Sequence, residues 1–432
     1  MGFNKKTVRD INLEGKRVLL RADYNVPVDK AGHISDDYRI KQSVLTLQYL
    51  LKQHCKIIIC SHLGRPKGPD DTTASLKPVA KRLSKLLGHD VGFINDCIGP
   101  EVQKAVNALE DGQILLLENV RFHPEEEKND AGFAKQLAEL ADIFVQDGFG
   151  VVHRAHASTD AITRFVPSVA GLLLEKEVDT ITGVMENPKR PLMAVIGGAK
   201  IADKLDVLNR FIDIADFVAV GGAMANTFLL AKGIKTGKSL VDKADIHLAE
   251  DIMERAKAKA KKQHFIFYLP QDGVVAKKID EGAKTRIVDW SAHIIAEIEN
   301  YPKLPPPETG VVDDDELVLD IGPFSGAFIA GGMQLANTVV WNGTLGVTET
   351  PARKGLGPIG PFTQGTELIV EAILGQFGHR PFSLVGGGDT VGYVESRGEV
   401  DYFDHVSTGG GASLELMSGK KLPGVEALMD KE

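Results

Sequence analysis

RVLLRADYNVP, residues 17–27, opens with Val18, Leu19 and Leu20 in succession and then breaks into a polar loop that ends at Pro27. Consecutive apolar residues make both faces of a strand apolar, which suits a parallel sheet covered by helices on each side and not an antiparallel sheet with one wet face. The pattern returns in KIIICSHLGRP at 56–66, ILLLENVRF at 114–122 and IFVQDGFG at 143–150, and more weakly in VGFI at 91–94. Helical spacing lies between these runs. SLKPVAKRLSKLL at 75–87 carries an apolar stripe behind Ser75, read as its cap, and KNDAGFAKQLAELA at 128–141 leads into the strand near Ile143. Alternating strands and helices indicate right-handed βαβ units.

The same architecture restarts after ENPKRP at 186–191. Strands are expected at 192–196, 217–220, 265–269, 317–320, 338–341 and 382–385, feeding turns that begin GGAK, GGAM, PQDG, IGP, NGTLG and GGGDT. KADIHLAEDIMERAKAKAKK at 243–262 is a long amphipathic helix candidate. The proline-rich, then acidic, stretch at 299–316 reads as a solvent-facing loop. In GGGASLELM from Gly409, Ser413 is a candidate helix cap. No fixed-period repeat links the halves.

Bulk properties agree with this plan. At 432 residues the chain exceeds one core's usual size, so two domains are expected. A net charge of -9 argues against nonspecific nucleic-acid binding across the surface, while leaving room for a local basic cleft. Cys55, Cys60 and Cys97 form neither a disulfide framework nor a close metal-binding pair, which favours a reducing cytoplasm. No signal-peptide core or transmembrane-length apolar run is present, and Lys6 spoils a myristoylation signal.

Ligands of open parallel sheets collect beyond the carboxyl ends of the strands. There the first half places Asp23 and Asn25, His62 and Arg65, Asn119 and Arg121, Asp147, and then His153, Arg154 and His156; Arg39 sits near a helix start. Converging guanidinium and imidazole groups suit a phosphate or carboxylate. Taken singly, each has a plainer role: Asp23 and Asn25 as turn formers, the arginines as surface ion pairs, the histidines as hydrogen-bonded structure. HRAH at 153–156 lacks the ordered ligand set of a zinc site.

In the second half, GGAKIADK at 197–204 puts Lys200 and Lys204 on one face if the segment is helical, a pairing that an anion would relieve. GGGDT at 386–390 lets phosphate oxygens approach bare backbone, with Asp389 to hold magnesium and Thr390 to donate a hydrogen bond. Asp389 also fits a simple helix cap. STGGGAS at 407–413 offers another glycine turn for a transferred phosphoryl group, or a flexible connector. No P-loop or protein-kinase signature occurs. A nicotinamide-dependent dehydrogenase would share the glycine turns, but G-x-G-x-x-G is missing after the first strand; a nonenzymatic phosphate-binding module is the other alternative.

Taken in order, RADYNVP, SHLGRP, LLENVRF, DGFGVVHRAHAS, GGAKIADK, GGGDT and STGGGAS closely resemble the phosphoglycerate kinase family over nearly the whole chain. The resemblance implies two Rossmann-like three-layer αβα domains with predominantly parallel sheets, joined by a hinge. It implies residues 1–172 as the phosphoglycerate-binding domain, 173–191 as interdomain helix and hinge, 192–405 as the nucleotide-binding domain, and 406–432 returning to the first domain. Asp23, Asn25, Arg39, His62, Arg65, Arg121 and Arg154 would form the substrate site. Lys200, Lys204, Asn342, Glu349, Asp389 and Thr390, with backbone at Gly198, Gly222, Gly322, Gly387 and Gly388, would bind nucleotide. Arg39, Lys200, Gly410 and Gly411 would meet the transferred group, and Asp389 would hold Mg2+. The implied reaction moves phosphoryl between ATP and 3-phosphoglycerate in a cytoplasmic monomer, with no nucleic-acid or membrane partner, and closure of the hinge excludes water. Thr344 and Thr348 stand where proline and phenylalanine are usual in the family, and the 299–316 connector looks expanded.

Overall fold

The computed structural model describes residues 3–29, 32–68, 70–290, 310–352 and 359–431. Residues 299–309 of the proline-rich stretch therefore lie outside the described residues. The chain divides into two compact units: Met1–Gly183 with Thr408–Glu432, and Val184–Ser407. No described helix is long and apolar enough to cross a membrane.

The first unit is built on β1 (Arg17–Arg21), β2 (Lys56–Cys60), β3 (Val91–Phe93), β4 (Ile114–Leu116), β5 (Ile143–Gln146) and β6 (Ser168–Ala170). They pair in parallel in the order β3-β4-β2-β1-β5-β6. Helices α1 (Tyr38–Lys52), α2 (Lys77–Leu87), α3 (Pro100–Asn107), α4 (Ala131–Ala138) and α5 (Leu172–Glu186) follow strands in sequence. Successive strand side chains point to opposite faces. Val18, Leu20, Ile57 and Ile59 therefore enter one core with Ile40 and Leu47 of α1 and Leu83 of α2. Leu19, Ile58 and Phe144 enter another with Val102 of α3 and Phe133 and Leu137 of α4. The continuous apolar runs thus fill two cores at once.

Helix starts show where local signals hold and where tertiary partners replace them. Asp130 caps α4, accepting the Phe133 N–H at 2.8 Å. Ser75 is not the N-cap of α2, whose N-cap position is Leu76. Ser75 accepts the Lys77 N–H at 3.3 Å while donating its hydroxyl to Glu118, and Glu118 also accepts the Leu76 N–H at 2.8 Å. Asp147 likewise serves a helix start: its carboxylate accepts the N–H groups of Leu173 and Leu174 at 3.0 and 3.2 Å. A Cβ at Gly171 would lie 2.1 Å from Asp147 Oδ1, so this junction admits only glycine. Burial pushes the Asp147 acid up to about 7.

The C-terminal segment packs within the same unit. It carries α12 (Gly411–Met417) and α13 (Pro423–Glu426), numbered after the helices of the second unit. Lys5 Nζ donates to the carbonyls of Glu426 and Leu428 and pairs with Asp430 at 2.7 Å, and Thr408 donates its N–H and hydroxyl to Glu177. Ser413 lies inside α12 and donates to the Gly410 carbonyl, so it is not a cap; Gly410, with φ 49°, turns the chain into the helix.

The second unit has β7 (Leu192–Ile196), β8 (Phe217–Val220), β9 (Ile266–Tyr268), β10 (Asp272–Ala276), β11 (Arg286–Asp289), β12 (Leu317–Ile321), β13 (Thr338–Asn342), β14 (Phe382–Gly386) and β15 (His405–Val406). Its helices are α6 (Leu205–Ile214), α7 (Gly222–Ala231), α8 (Ile246–Ala260), α9 (Pro323–Met333), α10 (Gln364–Ile373) and α11 (Gly388–Ser396). A parallel sheet runs β15-β14-β13-β7-β8-β9. Residues 317–320 do not extend it. β12 instead pairs antiparallel with β10, which pairs antiparallel with β11, and the segment read as a PQDG turn enters β10 at Asp272. An apolar run does not encode which sheet it joins, and β11 has only one buried residue, so its pattern is faint.

Two buried hydrogen-bond sets fix the loops of this unit. Thr390 Oγ1 accepts the Gly343 N–H at 2.6 Å, holding the loop after β13 onto α11, while Thr366 Oγ1 accepts the Leu345 N–H at 3.1 Å. Asp320 accepts the N–H groups of Ile321 and Gly365, both at 2.8 Å. Burial, with the nearby Asp272 carboxylate, pushes the Asp320 acid up to about 8.

Thr390→Val should strand the buried Gly343 N–H and lower stability by about 1–3 kcal/mol; urea unfolding checks this. Asp320 holds its proton to about pH 8 in the folded protein and releases it near pH 4 when unfolded. The stability it contributes is complete below about pH 4 and is lost as pH rises toward 8. Between pH 5 and 8 the loss reaches up to about 4 kcal/mol, and urea unfolding of Asp320→Asn at those pH values should show a shallower decline.

Candidate active site

The expected anion-site residues of the first unit stand in the loops and short 3-10 turns that follow β1, β2, β4 and β5, and in the first turn of α1. After β1 the chain leaves the sheet through Asp23 and Asn25. Asn25 Oδ1 accepts the Gly64 N–H at 2.8 Å and so ties this loop to the one after β2. Arg121 donates to the Gly64 carbonyl at 2.7 Å and pairs through Nε with Glu127 at 3.1 Å. Arg39, in the first turn of α1, pairs with Asp23 at 3.1 Å and donates to the Asn25 carbonyl at 3.1 Å. Its guanidinium is oriented from two sides.

His62 is buried 3.9 Å from Asp23, and its Nδ1 lies 3.4 Å from Arg21 Nη2. Burial drives its pKa well below the ordinary value, and the charges of Arg21, Arg121, Arg39 and Arg154 drive it the same way. The imidazole is neutral at pH 7. His156 is lowered to about 4 by burial and by Arg121 and Arg21, and His153 is lowered by burial and by Arg154. The positive charges of four arginines are therefore felt at His62, although each has its own place in the chain.

The glycine turn of the C-terminal segment reaches this group. A Cβ at Gly410 would lie 3.9 Å from Arg39 Nη2, and one at Gly411 would lie 3.4 Å from His153 Nε2. Arg154 Nε lies 3.2 Å from that same histidine nitrogen. Arg65 is exposed. Two strand-end residues belong elsewhere: Asp147 holds α5, and buried Asn119 donates to the carbonyls of Leu63 and Ala74. Arg21 was missed because it sits inside β1, bonded to Ser158 at 2.7 Å; an arginine in an otherwise buried strand was the available signal.

The second unit gathers its polar groups at the ends of β7, β13 and β14. Lys204 Nζ donates to Asn342 Oδ1, and burial lowers the lysine to about 8 against the opposing pull of Asp389 and Asp203. Lys200 is exposed and precedes the short 3-10 turn Ala202–Lys204, so the two lysines do not share a helix face. Gly198 has φ 133°, far from helical values, and a Cβ at Gly197 would lie 2.1 Å from the Thr344 carbonyl, so the chain passes here as bare backbone. Gly222 has φ 67°, and a Cβ there would lie 2.7 Å from the Gly198 nitrogen.

A cleft of about 250 Å³ opens among these turns, lined by Gly198, Gly222, Thr344, Glu349 and Asp389 on its polar side and by Leu229, Leu240, Trp290, Leu317 and Ile321 on its apolar side. Gly387 has φ 92° and leads into α11, whose first turn exposes Gly388 and Asp389. An exposed single carboxylate suits Mg2+, which keeps several waters and takes few protein ligands. Thr390 is buried, with its oxygen engaged by Gly343. Gly322 packs against Asp272, which accepts the N–H groups of Phe324 and Ser325 at the start of α9.

Comparison with known proteins places this geometry in a family. The family described as phosphoglycerate kinase matches residues 8–420. Phosphoglycerate kinase of Moorella thermoacetica is 44% identical over 427 residues, covering 99% of this chain and 100% of that protein. The chloroplastic phosphoglycerate kinase of Chlamydomonas reinhardtii is 46% identical over 432 residues, covering 99% and 87%. The solved phosphoglycerate kinase structure from Coxiella burnetii superposes with a TM-score of 0.79 at 37% identity and 98% coverage of both chains. With matching extent, order of motifs and fold, the chain belongs to the phosphoglycerate kinase family.

Proposed function

We propose that this protein transfers a phosphoryl group reversibly between ATP and the carboxylate of 3-phosphoglycerate, giving ADP and 1,3-bisphosphoglycerate. The observation that carries the substrate side is the linked set after β1, β2 and β4, in which Asp23 holds Arg39 and lies near His62 while Asn25 and Arg121 meet at Gly64. Burial and the charges of Arg21, Arg39, Arg121 and Arg154 keep His62 neutral. Guanidinium forks match phosphate and carboxylate oxygens, and a neutral imidazole adds a hydrogen bond without further positive charge. Arg65, Arg121 and Arg154 hold the phosphate of the acceptor, while Asp23, Asn25 and His62 orient its remaining oxygens.

The nucleophile needs no base. A carboxylate with a pKa of about 3.5–4 is ionised at neutral pH, which agrees with three nearby histidines all pushed toward the neutral form. Catalysis rests instead on fixed donors that meet the charge of the moving PO3 group. Arg39 is held by Asp23 and the Asn25 carbonyl in advance, beside the bare backbone of Gly410 and Gly411.

On the nucleotide side, the apolar wall of the second unit's cleft receives the base, and Lys204 with Lys200 binds phosphate oxygens. Asp389 would hold Mg2+, which when bound neutralises phosphate charge. Thr344 lines the cleft, so this position shapes the base pocket in place of the family's usual proline. The defining experiment is a mass-resolved reaction with ATP, Mg2+ and 3-phosphoglycerate, with a no-acceptor control; ATP hydrolysis without acyl phosphate would reject the assignment.

Arg39→Ala should lower turnover roughly a hundredfold or more, about 3 kcal/mol in the barrier, with unfolding by urea little changed. Steady-state kinetics decides, and near-wild-type turnover would remove Arg39 from its role. Because Lys204 loses its proton at about pH 8 in the free protein, nucleotide binding must restore that proton. Affinity should fall as pH climbs past 8, by up to about tenfold per pH unit, and calorimetry on Lys204→Met should show weaker binding without this slope.

A further inference from the structure

Asp96, Cys97 and His123 lie outside the machinery described above. Asp96 and Cys97 follow β3, and His123 follows the short turn after β4; the two strands are neighbours, with Phe93 opposite Leu116. One ligand atom from each residue falls in a group whose members are all within 4.8 Å of one another. Asp96 Oδ1 and His123 Nε2 are 2.8 Å apart. The Cys97 N–H donates to the same Asp96 oxygen at 2.7 Å, and the His123 ring stacks on Phe133 with centroids 5.2 Å apart. These contacts hold the donors in place before any ligand arrives.

We propose that Asp96, Cys97 and His123 form a binding site for a divalent metal ion of the zinc class. One thiol, one imidazole and one carboxylate make a mixed S/N/O set that suits zinc and is foreign to magnesium. In a tetrahedral zinc site with ordinary bond lengths, ligand atoms stand roughly 3.3–3.7 Å apart, within reach of small rotations here. Asp96 and His123 also line a cleft of about 1260 Å³, whereas Cys97 lies behind them. The fourth position therefore faces water.

Binding exchanges protons in a defined way. A free thiol carries its proton at neutral pH. The metal takes the thiolate, and that proton leaves to solvent. It also takes the Nε2 lone pair of His123 in place of the hydrogen bond to Asp96, with the ring proton on Nδ1. Metal binding therefore releases the thiol proton.

The test is a Co2+ titration of the full chain in excess Mg2+, followed by Zn2+ competition. One Co2+ per chain with a thiolate-to-cobalt charge-transfer band, and proton release in calorimetry across buffers, is expected. Cys97→Ser should abolish the band. His123→Asn and Asp96→Asn, whose side chains are not fully buried, should weaken binding at least tenfold and decide the matter if the core variant fails to fold. Cobalt bound without the band, a band that survives Cys97→Ser, or unchanged affinity in His123→Asn would each overturn the site and leave Asp96 and His123 as a surface hydrogen bond.

Discussion

Strands covered on both faces leave a chain only their ends for polar chemistry, and this constraint organises both units. All five residues of β7 and of β13 are buried, as are Val18 to Leu20 in β1 and Ile57 to Ile59 in β2. A polar side chain inside such a strand must bring its partners with it. Arg21 does so: its guanidinium is bonded to Ser158 and lies 4.0 Å from Glu126, itself fully buried and bonded to Ser158. Elsewhere the polar groups of the proposed sites wait until the sheet ends. Asp23 follows β1, His62 follows β2, Arg121 follows β4, Lys204 follows β7 and Asp389 follows β14.

Four arginine charges acting on one buried histidine are electrostatically unfavourable unless something relieves them. The protein supplies partial relief through Asp23, Glu126 and Glu127, and it keeps the neighbouring histidines neutral. Those same partners also fix the arginines. Arg39 and Arg121 are each bonded to a carboxylate and to a backbone carbonyl of the protein itself. Donors already in place lose less freedom on binding and need less rearrangement as charge develops. Residual positive potential then favours an anion.

The parallel sheets were legible because consecutive apolar residues report burial on two faces. The antiparallel sheet was not, since β11 is short and exposed along much of its length, and β12 has the same composition as the parallel strands. Among the site residues, adjacency in sequence misled where backbone geometry intervened. Lys200 and Lys204 would share a face only on a helix, and the chain there is a bent loop followed by a 3-10 turn. Ser75 and Ser413 had the right type for caps, but Glu118 arrived from β4 for one helix and Gly410 began the other. Asp96, Cys97 and His123 were invisible as a set because their proximity exists only through strand pairing.

Carboxylates show most clearly what sequence position leaves open. Asp23, Asp147, Asp272, Asp320 and Asp389 all lie in or beside strands, and composition alone treats them alike. Their amide partners separate them. Asp147 is taken up by Leu173 and Leu174, Asp272 by Phe324 and Ser325, and Asp320 by Ile321 and Gly365. Each is buried, so binding a metal would require breaking hydrogen bonds that hold a helix start or a loop. Asp23 faces Arg39 instead, where its charge is already matched. Asp389 stands exposed at the start of α11, beside a glycine turn and across from Lys204, whose ammonium it helps keep protonated. That freedom, rather than the presence of an aspartate after a strand, is what favours Asp389 as the magnesium ligand in the proposed reaction.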